Sequence, residues 1–329
     1  MEELYQLSNA LAAWLQTAYP QFLGLMTVVS ALGSEEAYLV ILPAVYWSID
    51  KRLGRQLGYL FLFSTLTNNV AKGLIRQPRP FWIDPDLQLG EVEGFGIPSG
   101  HVQNATVLLL LVIARLRRAW LWVAAAVYIL LMGLSRFYLG LHFLQDIVGG
   151  FFLGLLALSV FVGWQRAFGA RFAKRILGRR LLMLVLVPII LGAIYVAVLL
   201  IIGPPNSDVA WTAFLPAAVV DAHESVTATV AGLLAFGIGM LLESSRIRFR
   251  TDGPLWQRVA RYVVGIVVAL GIWGGLRAIF PAEPLWLALP LRFLRYFLLL
   301  LWVTYFGPWV FVRLRLAQAD PDSEVRITL

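Results

Sequence analysis

An all-α, polytopic membrane bundle of about nine transmembrane helices is the fold that this sequence predicts, and three observations predict it. Apolar residues fill 60% of the 329 positions and charged residues only 14%, where a soluble domain carries about 25% charge; mean hydropathy is +0.77. Apolar runs long enough to cross a bilayer recur from the N-terminal region to Phe311. Lys and Arg alternate between two sets of connections along the whole chain, as they do when successive helices cross a membrane in opposite directions. Lipid offers no partner to backbone N–H and C=O groups, so runs of this length are helical.

The crossings fall near 21–49, 54–76, 101–117, 119–138, 142–164, 181–203, 224–243, 260–280 and 286–312. Before them, residues 1–17 read as an amphipathic helix lying on the membrane surface, with Tyr5 and Trp14 as interface anchors. The first crossing is irregular. Two apolar stretches of about 13 residues flank Gly33-Ser34-Glu35-Glu36, each too short to span alone. They read either as one hinged span or as an interfacial helix followed by a short span. The chain then divides into a membrane core, 1–203, and an extension of three spans, 204–329, which offers a surface for an oligomer. No separate soluble domain is visible. Cysteine is absent, which excludes disulfides and thiol chemistry. Met1-Glu2-Glu3 is acidic where a cleavable signal peptide would be basic.

Orientation follows from charge. Of the 27 Lys and Arg, 20 fall in one set of connections, around 51–55, 115–118, 166–180, 246–261 and 313–326. The other set holds seven: Lys72, Arg76, Arg79, Arg136, Arg277, Arg292 and Arg295. The positive-inside rule places the 20 in the cytoplasm. The net charge of +8 is then accounted for by anchoring charges and by contact with anionic membrane lipids, and it calls for no nucleic-acid partner. Compact loops and the lack of cysteine suggest a bacterial inner membrane.

Three motifs lie on the opposite face, toward the periplasm or exterior: Lys72-(six residues)-Arg79-Pro80, Pro98-Ser99-Gly100-His101, and Ser135-Arg136-(five residues)-His142-(three residues)-Asp146. Pro78 and Pro80 break the helix and hold Arg79 extended. Lys72 and Arg79 form a cation pair that suits a phosphate, although either would also serve as a snorkelling interface charge. Ser99 reads as an N-cap and Gly100 admits close backbone approach, so the helix start is an anion cradle or simply a capping turn. His142 and Asp146 share one helical face. A carboxylate on one imidazole nitrogen fixes the tautomer and stabilises the imidazolium, whether for nucleophilic attack or for holding two helices together. Arg136 reaches the same place. Together they supply cations for phosphoryl oxygens, a backbone cradle, a nucleophilic imidazole with its carboxylate and, in His101, a second imidazole as acid. No metal cluster and no cofactor are called for. Asp221, His223 and Glu224 read as a wet helix N-terminus rather than a metal site. Asp84, Asp86, Glu91 and Glu93 make 81–97 a solvated acidic loop, or one that gates an anion by repulsion. Arg277, Arg292 and Arg295 read as interface anchors or as partners of Glu283, or else as a head-group site.

The three stretches resemble the signature motifs of the type-2 phosphatidic acid phosphatase (lipid phosphate phosphatase) superfamily, whose members include glucose-6-phosphatase and the soluble vanadium haloperoxidases. Every motif position holds the expected residue. The resemblance is specific over 72–146 and does not reach 204–329. It implies a metal-independent phosphoric monoester or diphosphate hydrolase. His142 would be the nucleophile that forms a phosphohistidine and Asp146 its orienting group. His101 would protonate the leaving oxygen and later activate water. Lys72, Arg79, Ser99, the Gly100 amide and Arg136 would hold phosphoryl oxygens. The expected substrate is a phosphorylated lipid: a polyprenyl pyrophosphate, phosphatidic acid, phosphatidylglycerol phosphate or a sphingoid phosphate. A phosphotransferase using the same phosphohistidine is the alternative. A non-catalytic lipid binder or transporter would need the cations but no nucleophile.

Overall fold

The computed structural model describes residues 2–319, so Arg326 and the end of the 204–329 extension lie outside the described residues. The chain folds into α1 (Glu2–Ala18), α2 (Leu23–Ala31), α3 (Glu35–Ala44), α4 (Lys51–Ile75), α5 (Pro80–Ile83), α6 (Gly100–Leu116), α7 (Ala119–Tyr138), α8 (Leu144–Trp164), α9 (Ala170–Ala173), α10 (Leu177–Ile202), α11 (Leu215–Leu242), α12 (Leu255–Ile279), α13 (Leu285–Leu301) and α14 (Gly307–Arg313). Among the described residues, extended pairing is confined to one antiparallel bridge between Phe249 and Ala319. The fold is all-helical.

Among the described residues, six helical stretches are long and apolar enough to cross a bilayer: Ala119–Tyr138, Leu144–Ala173, Leu177–Ile202, Thr212–Ile247, Leu255–Ile279 and Leu285–Arg313. A seventh is available if Pro20–Ala31 and Glu35–Ile49, bent by 52°, form one broken span. That is fewer than the nine expected. The two remaining segments fall short for different reasons. Helix α6 has only 17 residues. Helix α4 has 25, but Ser64, Thr65, Thr67, Asn68 and Asn69 lower its hydropathy.

Two further expectations need correction. Helix α1 does not lie on the surface by way of Tyr5: Tyr5 is 4% exposed, whereas Trp14 is 57% exposed. Its buried face, Tyr5, Ser8, Asn9 and Ala12, repeats every three to four residues but carries polar groups, which in the sequence look water-facing. Ser8 Oγ and Asn9 Oδ1 are buried there without a partner among the described residues, while two amides of the helix reach backbone carbonyls. Gln16 Nε2 donates to the Leu87 and Tyr138 carbonyls at 3.0 and 2.8 Å, and Asn9 Nδ2 approaches the Pro80 carbonyl at 3.5 Å. Helix α11 starts at Leu215, not near 224. Asp221, His223 and Glu224 therefore lie inside the helix, where His223 Nδ1 donates to the Val219 carbonyl at 2.6 Å.

The chain divides into two compact units. The first is Met1–Tyr38, Ser64–Ser159 and Ala197–Ser225; the second is Leu39–Phe63, Val160–Val196 and Val226–Leu329. The first unit packs Met26, Phe81, Trp82, Phe95, Tyr138 and Leu141 into one cluster, and Val29, Val102, Ala105, Ile129 and Met132 into another. It contains every motif residue. The second unit centres on Trp47, fully buried against Phe311, with its indole N–H donated to the Val303 carbonyl at 2.8 Å. Gly265 is required there, because a Cβ would strike the Trp47 ring.

Candidate active site

The first unit brings the three motifs to one place, and the backbone does most of the joining. Helix α8 starts at Leu144, two residues later than expected, which leaves His142 in the turn before it. Asp146 sits in the first turn of α8, three residues beyond Phe143. From there its Oδ2 accepts the Phe143 backbone N–H at 3.0 Å, as the third residue of a capping box does. The same oxygen lies 3.2 Å from His142 Nδ1. One carboxylate therefore caps the helix and orients the imidazole. With the proton on Nδ1, the His142 Nε2 lone pair faces Arg79 Nη1 at 3.3 Å.

Arg79 is fully buried and extended, as Pro80 requires. Its Nε donates to the Gly94 carbonyl at 2.6 Å, Nη1 to Leu141 at 2.9 Å and Nη2 to Glu93 at 2.6 Å. The acidic loop thus meets this arginine through its backbone carbonyls. Burial lowers the Arg79 pKa to about 10, so it stays charged at neutral pH. Burial, and then the neighbouring cations Arg79, Arg136 and Lys72, hold His142 well below the usual imidazole range, so it is neutral there.

Arg136 differs from Arg79. It is 3% exposed, and its Nη1 donates to Ser30 Oγ at 2.6 Å. Its Nε and Nη2 are buried with no partner among the described residues. The Ser99 hydroxyl is likewise buried and unpartnered. Ser99 caps α6 in an extended conformation, and its N–H donates to the Asp146 carbonyl at 2.9 Å, tying the second motif to the third. Gly150 makes that contact possible, because a Cβ there would strike the Ser99 carbonyl. His101 lies in the first turn of α6, within the field of Arg136, Lys72 and Arg79. Its ring packs so near Gly33 that a Cβ on Gly33 would come within 2.9 Å of it. Lys72, in the last turn of α4, is half-buried within the field of Arg79, Asp221, Arg136 and Asp146.

Several contributors escaped the sequence reading. A polar network joins α4 to α6. Gln103 Nε2 lies 2.8 Å from the Ser64 carbonyl and 3.0 Å from Thr67 Oγ1. Asn68 Nδ2 donates to Gln103 Oε1 at 2.8 Å and to the Pro98 carbonyl at 3.2 Å. Ser64 Oγ donates to Asn104 Oδ1 at 2.7 Å. Lys72 stands one turn beyond Asn68, so the network sets the height of its helix against the Ser99–Gly100 turn. The available signal was polar residues inside apolar helices, which are costly unless partnered. Ser30 was invisible because nothing in the local sequence pairs it with Arg136. Asp221, read as solvated, acts electrostatically on Lys72 and Arg79 and lies against Gly94. Tyr5 donates its hydroxyl to Gln77 Oε1, and its ring lies 4.6 Å from that of Phe143.

Fold and site together define a polytopic helical membrane protein that gathers three basic side chains, two imidazoles and a carboxylate in one cluster. Comparison with known proteins then places it. The PAP2 superfamily profile matches residues 53–170, and the profile of the PAP2 superfamily phosphatase transmembrane extension matches 227–319. Phosphatidylglycerophosphatase B of Bacillus subtilis is 30% identical over 153 residues, which is 43% of this chain and 73% of that protein. Sphingosine-1-phosphate phosphatase 2 of Mus musculus is 31% identical over 139 residues, 40% of this chain and 39% of the relative. Undecaprenyl-diphosphatase of Sulfolobus acidocaldarius is 28% identical over 137 residues, 40% of this chain and 65% of the relative. The matched region thus spans about two fifths of the mouse relative's own length. The chain belongs to the PAP2 superfamily.

Proposed function

We propose that this chain is an integral membrane phosphatase that hydrolyses a lipid phosphate or pyrophosphate without a metal, through a phosphohistidine on His142. One observation carries the reading: the His142 imidazole held between Asp146 on Nδ1 and Arg79 on Nε2, beside the incompletely bonded Arg136. The Nε2 lone pair attacks phosphorus and the bond to the leaving oxygen breaks, with His101 supplying the proton. Water then attacks the phosphohistidine, loses its proton to His101, and the P–N bond breaks. Lys72, Arg79, Arg136, the Ser99 hydroxyl and the Gly100 amide hold the phosphoryl oxygens. Phosphoryl transfer is mainly positioning and charge stabilisation, which this donor set supplies.

The relatives are named for phosphatidylglycerophosphate, sphingosine-1-phosphate and undecaprenyl diphosphate. These define the lipid classes to test here, together with phosphatidic acid. We further propose nine crossings, with α4, α6 and the bent N-terminal pair completing the six long spans. The site then faces the periplasm or exterior of a bacterial inner membrane. Residues 1–203 form the catalytic core, and 204–329 form an extension that shapes lipid access or an oligomer interface.

The test is phosphate release by purified protein from those lipids and from water-soluble phosphates, with EDTA present. Lipid turnover that survives chelation is expected. Activity that vanishes in EDTA and returns with Mg²⁺ overturns the mechanism. For sidedness, cysteines replacing Gln88 and Gly178 are treated in intact cells with an impermeant thiol reagent. Labelling of the first alone is expected, and the reverse inverts the topology.

A further inference from the structure

Acids gather on two segments beside the site. Segment 80–100 carries Asp84, Asp86, Glu91 and Glu93, segment 203–225 carries Asp208, Asp221 and Glu224, and neither holds a Lys or an Arg. Both belong to the first unit and pack on one another. The Trp82 ring stacks on Phe214 at 5.2 Å, and Leu215, Ala218 and Ala222 bury one face of α11 in the cluster of Phe81 and Phe95. That packing seats Asp221 against Gly94, where a Cβ would strike its Oδ2. The Gly94 carbonyl in turn accepts Arg79 Nε at 2.6 Å. Asp221 is half-buried, and no hydrogen bond holds its carboxylate among the described residues.

Two carboxylates make their charge felt at Lys72 and Arg79. Asp146 acts more on Arg79, and Asp221 more on Lys72. Asp146 is already committed to the His142 imidazole and the Phe143 N–H. Asp221 serves neither a helix cap nor an imidazole. The neighbouring donors call for an anion, because Arg136 Nε and Nη2 and the Ser99 hydroxyl are buried without a partner among the described residues.

We infer that the site selects a phosphate monoester with an ammonium group beside the phosphate, as on an amino-alcohol lipid phosphate, and that Asp221 is the selecting residue. This rests on the phosphatase reading above. A phosphate without a compensating cation enters against the Asp221 charge. An ammonium on the carbon next to the phosphoester carbon turns that repulsion into attraction, so one carboxylate discriminates in both directions. The exposed Asp86, Glu91 and Glu93 add a field of the same sign, which concentrates cationic head groups and disfavours polyanionic ones.

The experiment compares sphinganine 1-phosphate with its N-acetyl derivative, in which the phosphate is unchanged and the amine is a neutral amide. Both are dispersed in one detergent and given to the full chain in EDTA. The wild type is expected to favour the free amine at least about fivefold in kcat/KM. Asp221→Asn should cut that preference at least about threefold, because KM falls for the N-acetyl lipid and not for the amine. Asp221→Glu keeps the charge and should keep most of the preference. Asp208→Asn removes an exposed charge of the same segment that does not act on Lys72 or Arg79, and it should leave the preference unchanged. A wild type that turns over both lipids alike overturns the selectivity and leaves the phosphatase reading standing. So does an equal fall in KM for both lipids in Asp221→Asn. Equal loss of preference in Asp208→Asn would mean a diffuse field and would remove Asp221 from the role. Release from neither lipid, and from no other lipid phosphate, brings down the phosphatase reading itself and this inference with it.

Discussion

Two buried arginines, Arg261 of the second unit and Arg136 of the first, are bonded to different extents. In the second unit, Arg261 is fully buried, and its terminal nitrogens donate to the Arg250, Thr251 and Asp252 carbonyls at 2.7, 2.8 and 3.1 Å. It staples the segment before α12. Lys51 is answered there by Glu243. In the first unit, Arg79 is bonded through all three nitrogens, whereas Arg261 leaves its Nε open, and Arg136 keeps two buried nitrogens without a partner among the described residues, beside a neutral imidazole. Buried charge left without a partner is costly, and a folded protein keeps it where something else must bind. Arg261, with only its Nε open, holds the chain, whereas the proposed role of Arg136, with two nitrogens open, is to meet an anion. Arg79 is proposed to do both, because three of its bonds fix the loop and a fourth contact faces His142.

Substitutions can break this contrast, and the largest effect belongs to His142. His142→Ala should lower kcat at least about 10³-fold in protein that still folds, as loss of a nucleophile does. Retention of a tenth of wild-type activity removes the assignment. The next effect is on stability alone. Glu243→Gln leaves Lys51 without its acid, and breaking one partner of a buried pair costs about 3–5 kcal/mol. Thermal or denaturant unfolding should show that loss while kcat per folded molecule stays near wild type. A large fall in kcat would join the two units in one mechanism and end the distinction.

Smaller effects sharpen it. Ser30→Ala removes the hydroxyl that holds Arg136 Nη1, without touching the phosphoryl ligands themselves. The expected outcome is a KM raised roughly three- to tenfold with little change in kcat, as when uniform binding is lost. An unchanged KM would show that Arg136 is positioned by packing alone. Asp221→Asn should have the smallest effect and the opposite sign. Asp221 acts electrostatically on Lys72 and Arg79, and on the proposed function it would compete there with an incoming phosphate. Removing its charge should lower KM about twofold to fivefold, most visibly at low ionic strength. A raised KM would make Asp221 a support for Lys72 rather than a competitor.

Much of the site was legible in the order of residues because its chemistry is local. His142 and Asp146 are one helical turn apart, and Pro80 dictates the backbone of the arginine before it. The partners that hold these groups are not local. Ser30 meets Arg136 from 106 residues away, Gln103 meets Ser64 from 39, and Tyr5 meets Gln77 from 72. Hydropathy failed at α1 for a related reason. Asn9 and Gln16 look solvated until the backbone carbonyls that receive their amides are known.

By itself, then, the sequence determined the solvent, the helical class and the side chains proposed to react, since these follow from composition, from the period of apolar residues and from short spacings. Tertiary structure alone decided which buried cations are bonded through every nitrogen and which are not, where α1 and α11 lie, and that α4 and α6 are keyed together by Asn68 and Gln103. The physical reason is that hydrogen-bond saturation depends on groups far apart in the chain. No local pattern records which carbonyl will face a given guanidinium.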